Sequence, residues 1–184
     1  PERQATLRGV ALTHLTGIMS VLDSSLVAGI DLMSSAPPAH LPEGLSSTLQ
    51  LRYIDKPHDR FDGRVSVDAL GLGAHIALTL GKEAKSHIVL GARQSLLAAY
   101  LAVAKAAGAV EDTASSANYS EIFARYRYDA SPSSRLRITL LHSRDQVLFD
   151  DVNLHHAVLG LAADWRHRYS ESGRIEATLT HSTN

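Results

Sequence analysis

Tyr119-Ser120-Glu121-Ile122-Phe123-Ala124-Arg125-Tyr126-Arg127-Tyr128 reads in steps of two. Glu121, Arg125 and Arg127 share one parity, and Ile122, Ala124, Tyr126 and Tyr128 share the other. Successive side chains of an extended chain point to opposite faces, so this period predicts a strand with one charged and one apolar face. The pattern recurs downstream. In Arg135–Ser143, Arg135, Arg137, Thr139 and Ser143 alternate with Leu136, Ile138 and Leu140. In Ala157–Tyr169, Asp164, Arg166 and Arg168 oppose Leu159, Leu161, Ala163, Trp165 and Tyr169. From Arg174 onward, Glu176, Thr178, Thr180 and Ser182 oppose Ile175, Ala177 and Leu179.

The connections add to this. Tyr128–Arg135 and Tyr169–Arg174 each leave an aromatic residue, pass through a Ser-rich turn and re-enter on Arg. The stretch between them, roughly Arg144–Leu154, reads as a longer polar loop carrying Asp145, Asp150, Asp151 and Asn153. Short turns at one end, long polar loops at the other and aromatics beside the short turns form the pattern of a membrane β-barrel. Runs of about ten residues also suit a tilted strand crossing a bilayer. A soluble antiparallel sheet with one wet face gives the same alternation, so the runs alone leave both architectures open.

Composition narrows the function classes. The chain has 184 residues, enough for one domain with a core or two small ones. Its net charge of -1 gives no case for nucleic acid or for an anionic membrane surface. Cysteine is absent, which excludes disulfides and thiolate chemistry. No apolar run reaches the length of about 18 residues that a spanning helix needs, which does not bear on a barrel. Pro1-Glu2-Arg3 shows no initiator Met and no signal-peptide pattern, so a processed or partial chain is expected.

Residues 1–56 read as a small α/β unit. Leu7–Val10 is predicted as a short strand, Val21–Leu32 as a short helix running into a strand at Ile30–Leu32, Ser34–Gly44 with three prolines as loop, and Ser47–Tyr53 as a strand. Lys56–Arg60 reads as a linker. Phe61–Ala69 follows as a strand, with Arg64, Ser66 and Asp68 on one face and Val65, Val67 and Ala69 on the other. Ala74–Leu80 and His87–Arg93 are strands around the turn 81–85, and Gly71-Leu72-Gly73 is a bend between strands. Ser95–Val110 changes period: Leu96, Leu97, Tyr100, Leu101, Val103 and Ala104 in an Ala-rich setting predict a helix.

Leu7-Arg8-Gly9-Val10-Ala11-Leu12-Thr13-His14-Leu15 resembles the "RGVPLTHL" segment in plug domains of TonB-dependent outer-membrane receptors. Ser20–Leu32 is similar to the next plug segment, and Pro38–His40 with Gly44–Arg52 to the plug's end, "PARYGGRLSSVLDVR", with His40-Leu41-Pro42 departing from the usual Arg-Tyr-Gly. Phe61–Ala69 resembles the first barrel strand, and Gly91–Leu97 the "ARRSYLD" stretch. The resemblance implies a mainly β chain: a plug-like segment over residues 1–56, then a partial transmembrane β-barrel of about seven strands over 57–184. It also implies residence in the cell outer membrane and uptake of a scarce solute, often a metal chelate. The implied partners are outer-membrane lipid, the TonB system, and the remaining barrel strands or a second chain. Such transporters are barrels of about 22 strands, so a piece of a longer receptor is expected. Seven strands leave two open edges, which lipid does not tolerate. The alternative is a soluble α+β binding or assembly module with the Ser95–Gly108 helix on the apolar sheet face.

No catalytic constellation emerges, no Gly-x-Ser-x-Gly elbow occurs, and the expectation is a non-enzyme without cofactor or metal. His155-His156 loosely resembles the metal-binding strand of vicinal-oxygen-chelate enzymes, without the partner Glu and second His in evidence. Asp150-Asp151-Val152-Asn153 could hold calcium in a loop, but a solvated acidic loop is the preferred account. Arg125, Arg127, Arg135, Arg137, Arg166 and Arg168 form a basic stripe, either an ordinary polar face or a lumen lining that meets the plug or an anionic solute. Ligand contacts of the family sit on variable loops and plug apices, so no substrate-binding residue is assigned.

Overall fold

Each period-two run forms a strand, and each strand of the larger sheet pairs with its neighbour in sequence. The structure, a computed structural model, describes residues 4–7, 10–12, 26–33, 48–67, 71–109, 116–149, 152–171 and 173–183. Among these the chain is mainly β with one helix. A four-stranded sheet contains β1 (Gln4–Leu7), β2 (Val10–Leu12), β3 (Val27–Met33) and β4 (Thr48–Tyr53) in the order β2-β1-β4-β3. The expected single strand Leu7–Val10 is instead a junction: Leu7 ends β1, Val10 opens β2, and the two pair face to face. The expected helix before β3 and the proline-rich loop fall outside the described residues, apart from Leu26.

The larger sheet is a seven-stranded antiparallel meander. It comprises β5 (Phe61–Val67), β6 (Gly71–Leu80), β7 (Ser86–Ser95), β8 (Ser116–Ser131), β9 (Ser134–Phe149), β10 (Val152–Arg168) and β11 (Arg174–Thr183), each paired only with its sequence neighbours. The sheet is open, with β5 and β11 as its edges. Gly71-Leu72-Gly73, expected as a bend, belongs to β6. The long loop expected over Arg144–Leu154 is corrected too. Strand pairing continues from Arg144 opposite Ala157 to Phe149 opposite Val152, so β9 and β10 form one hairpin. Polar composition suggested loop there, but main-chain pairing with a long partner strand overrides local propensity.

The connections alternate between the two ends of the sheet. The turns 81–85, 132–133 and 169–173 lie at one end, which the segment 54–60 also enters. The other end holds the helix α1 (Leu97–Ala106) and the β9–β10 connection. Alanine-rich sequence of high helix propensity makes α1, and Gly108 with φ 69° follows it, as a glycine past a helix end often does. The helix buries none of its residues, with Val103 69% exposed, so it does not cover the sheet.

Burial inverts the usual order of a water-soluble sheet. The apolar parity is exposed: Val65 and Val67, Leu72 and Ile76, Leu90, Ile122, Ile138, Leu159 and Leu161, and Leu179 at 75%. The polar parity is covered: His75, His87, Glu121, Arg125, Arg127, Arg137, Thr139, Ser143 and Asp145 are all buried. Charged residues are almost never buried in water-soluble proteins unless paired, so the covering segment must supply partners.

The apolar face forms a belt bounded on both sides. Tyr128, Leu136 and Trp165 lie in one cross-strand row near the turn end, with Tyr126 in the adjacent row and Tyr169 just beyond. Toward the other end the same parity becomes polar at Gln94, Ser120, His142, Arg144 and His155. β8, β9 and β10 run to 16, 16 and 17 residues. At about 3.3 Å per residue they exceed the 9–11 residues that a tilted strand needs to cross a bilayer, and they overshoot at the polar side.

Candidate functional site

Arg125 and Arg127 on β8 and Arg137 on β9 sit on the covered face because they share the parity of Phe123 and Leu141. Arg127 lies directly opposite both His87 and Arg137. Cations facing each other across strands repel, so the arrangement requires carboxylates between them. Two aspartates supply this. Asp164 on β10, opposite Arg137, accepts from Arg137 Nε at 2.7 Å and Nη2 at 2.8 Å in the two-bond geometry suited to guanidinium. Asp55, from the segment after β4, accepts from Arg125 Nη1 at 2.8 Å and from Arg137 Nη1 at 3.0 and 3.2 Å. Arg127 Nη1 lies 3.9 Å from the same carboxylate.

The Arg125, Arg127 and Arg137 side chains are 2%, 9% and 7% exposed, and Asp55 is 23% exposed. Burial pushes the Asp55 carboxyl up, but Arg137, Arg125 and Arg127 together outweigh this and hold it below the ordinary carboxylate range. Asp55 is therefore the shared anion of a three-arginine cluster.

Aromatic and apolar contacts fix the same segment. Tyr53 stacks on Phe123 with ring centroids 4.6 Å apart. The Arg125 guanidinium lies over both rings, at 5.5 and 5.2 Å, a cation–π arrangement, and donates to the Tyr53 carbonyl at 3.3 Å and to Thr139 Oγ1 at 3.1 Å. Ile54 N donates to the Leu26 carbonyl at 2.9 Å, tying the two parts of the small unit together. Leu26 enters the sheet where β7 carries Gly91: a Cβ built there would meet Leu26 Cδ1 at 2.5 Å. Leu26, Tyr53, Ala77, Val89, Phe123, Leu141, Val158 and Ala162 form the buried apolar cluster around this contact.

A second ion cluster lies toward the turn end. Asp129 accepts from Arg127 Nε and Nη2, the latter at 2.7 Å, and from Arg135 Nε at 2.7 Å, while His87 Nε2 lies 3.6 Å away. Beyond it Arg166 binds Glu176. Of the six stripe arginines, three meet Asp55, Arg135 and Arg166 meet carboxylates of the sheet itself, and Arg168 is exposed at the end of β10.

His155 and His156 are adjacent on β10 and therefore fall on opposite faces, exposed and half-buried respectively. That separates them as ligands for one ion. Among the described residues no group of three or more His, Asp or Glu is placed to hold a metal. Asp150 and Asp151 lie outside the described residues. Sequence reading missed Asp55, Tyr53 and Leu26, whose role comes from contacts about seventy residues or more along the chain. The only available signal was the excess of like charge on adjacent strands, which demands acids without saying from where.

Comparison with protein-family models, with curated proteins and with solved structures finds no match to this chain.

Proposed function

We propose that this chain is part of a TonB-dependent outer-membrane transporter, comprising the end of the plug and the first strands of the barrel wall, acting in uptake of a scarce solute such as a metal chelate. The inverted sheet carries this reading: the exposed face is an apolar belt edged by aromatics, and the covered face is charged. Lipid-facing and lumen-facing residues of a transmembrane β-barrel alternate in this way. Outer-membrane lipid is the natural cover for Val65, Leu159, Leu161 and Leu179. The open edges β5 and β11 call for further strands, from the rest of the receptor or from a second chain.

On this reading the mechanism involves no covalent chemistry. A segment held in the lumen blocks passage, and engagement of the TonB system, implied by the resemblance alone, displaces it. Asp55 lies between β4 and β5, where plug continues into wall. The arginine cluster then anchors the plug's trailing end to the wall and leaves movement to the residues before it. The soluble alternative lacks its proposed cover, because α1 buries none of its residues.

Sedimentation with and without detergent tests the reading. A chain that is folded and monodisperse only in detergent supports it. One that is folded and monomeric in plain buffer overturns it.

A further inference from the structure

The apolar parity of the seven strands carries almost no charge, and its one ionised residue stands at the rim of the belt. From Phe61 to Thr183, outward positions of the described strands hold no Asp or Glu, and Arg144 is the only Lys or Arg among them. Arg144 is exposed and sits between Ser120 on β8 and Ala157 on β10. Its Nε donates to His155 Nε2 at 2.9 Å. Arg125, Arg127, Arg135, Arg137 and Arg166 each bind a carboxylate, whereas Arg144 makes no ion pair among the described residues.

Two histidines share this rim and face. His142 precedes Arg144 on the same parity of β9, opposite Leu159, and His155 is the hydrogen-bond partner of Arg144. Accepting at Nε2 places the neutral His155 ring proton on Nδ1, where it is a further donor. Leu159 lies beside His142 on the same parity, and Leu140 with Leu161 form the next row below. A guanidinium fork with unused donors, flanked by imidazoles and adjoining an apolar wall, matches an anion whose other end is hydrocarbon.

We infer that Arg144, with His142 and His155, binds the phosphate of a lipid headgroup in the leaflet at the long-strand end of the sheet. This rests on the membrane reading above, since it places the belt in hydrocarbon and the rim at headgroup depth. Phosphate supplies the counter-charge that the outward face lacks, and the acyl chains lie along Leu140, Leu159 and Leu161.

The test uses the full chain in uncharged detergent micelles doped with phosphatidic acid or with diacylglycerol of the same acyl chains, counting lipid retained per chain after gel filtration. Preferential retention of phosphatidic acid is expected, weakened about fivefold by Arg144→Gln, as for one basic residue at an anionic lipid surface. His167→Gln, on the same face at the turn end, leaves retention unchanged. Equal retention of the two lipids, or an Arg144→Gln variant that binds like the original, overturns the inference. So does displacement of the lipid by an equal concentration of inorganic phosphate, which would mark a free-anion site. If the chain is instead folded and monomeric without detergent, the membrane reading fails and this inference with it. Detergent dependence without phosphate preference sinks this inference alone.

Discussion

Replacing Asp55 with Asn keeps the shape of the side chain and one acceptor oxygen but removes the anion shared by Arg125, Arg127 and Arg137. Losing one partner of a buried ion pair costs about 3–5 kcal/mol, because the remaining charge is left uncompensated. Two features place the cost at the lower end, about 3 kcal/mol: Asp55 is 23% exposed, and Arg137 keeps its bidentate partner Asp164. Every 1.4 kcal/mol is a factor of ten, so release of the segment ending at Asp55 should become about a hundredfold more populated. Cleavage by trypsin after Arg52 reads this directly, because β4 must leave its sheet to enter the protease, and slow cleavage tracks the open population. Asp55→Asn is expected to cleave about a hundredfold faster at that bond while the seven-stranded sheet stays intact by circular dichroism. Arg137→Gln in the Asp55→Asn background should cost less than it does alone, since the two residues share one interaction. A cleavage rate within threefold of the original would refute the claim that the aspartate holds the segment on the wall.

Further expectations follow from the same contacts. The Asp55 carboxyl is held below its unfolded value of 3.8, so its contribution is fully present above that value and is lost as pH falls through the folded one. Trypsin-independent protection of residues 48–55, by hydrogen exchange, should therefore be insensitive to Asp55 titration between pH 5 and 8 and fall once the medium is more acid than about pH 4. Gly91→Ala places a methyl group 2.5 Å from Leu26 Cδ1 and should cost about 1–3 kcal/mol in segment docking. In a Leu26→Ala background the same change should cost nothing further. Leu161→Arg on the belt should cost about 2–4 kcal/mol in micelles, read as a lowered urea midpoint, if that face meets hydrocarbon. The same change on a water-exposed sheet would cost no more than about 0.5 kcal/mol.

The larger sheet was legible because alternation is a local property: Glu121 to Tyr128 and Arg135 to Ser143 declare both their strands and their two faces. The helix was legible through the alanines around Tyr100 and Val103. Where local composition and long-range pairing disagreed, reading failed. Asp145, Asp150 and Asp151 look like a loop, yet β9 pairs through Asp145 and continues to Phe149 because β10 runs beside it over sixteen register positions. The basic stripe was visible, but its partner was not. Asp55 lies in what reads as linker, and only folding brings it to Arg125 and Arg137. Gly91 was equally silent, since its meaning is the space that Leu26 fills.

Trp165 is the chain's single tryptophan, 40% exposed on the apolar face, in one row with Tyr128 and Leu136 near the turn end. A belt turned to lipid puts this ring at the interfacial depth that tryptophan favours. The decisive measurement is quenching of its emission in vesicles of phospholipids brominated at different depths along the acyl chain. Strong quenching, greatest for bromines nearest the headgroup, is the expected result. Emission that ignores every brominated lipid yet is quenched by aqueous iodide would contradict a lipid-facing wall.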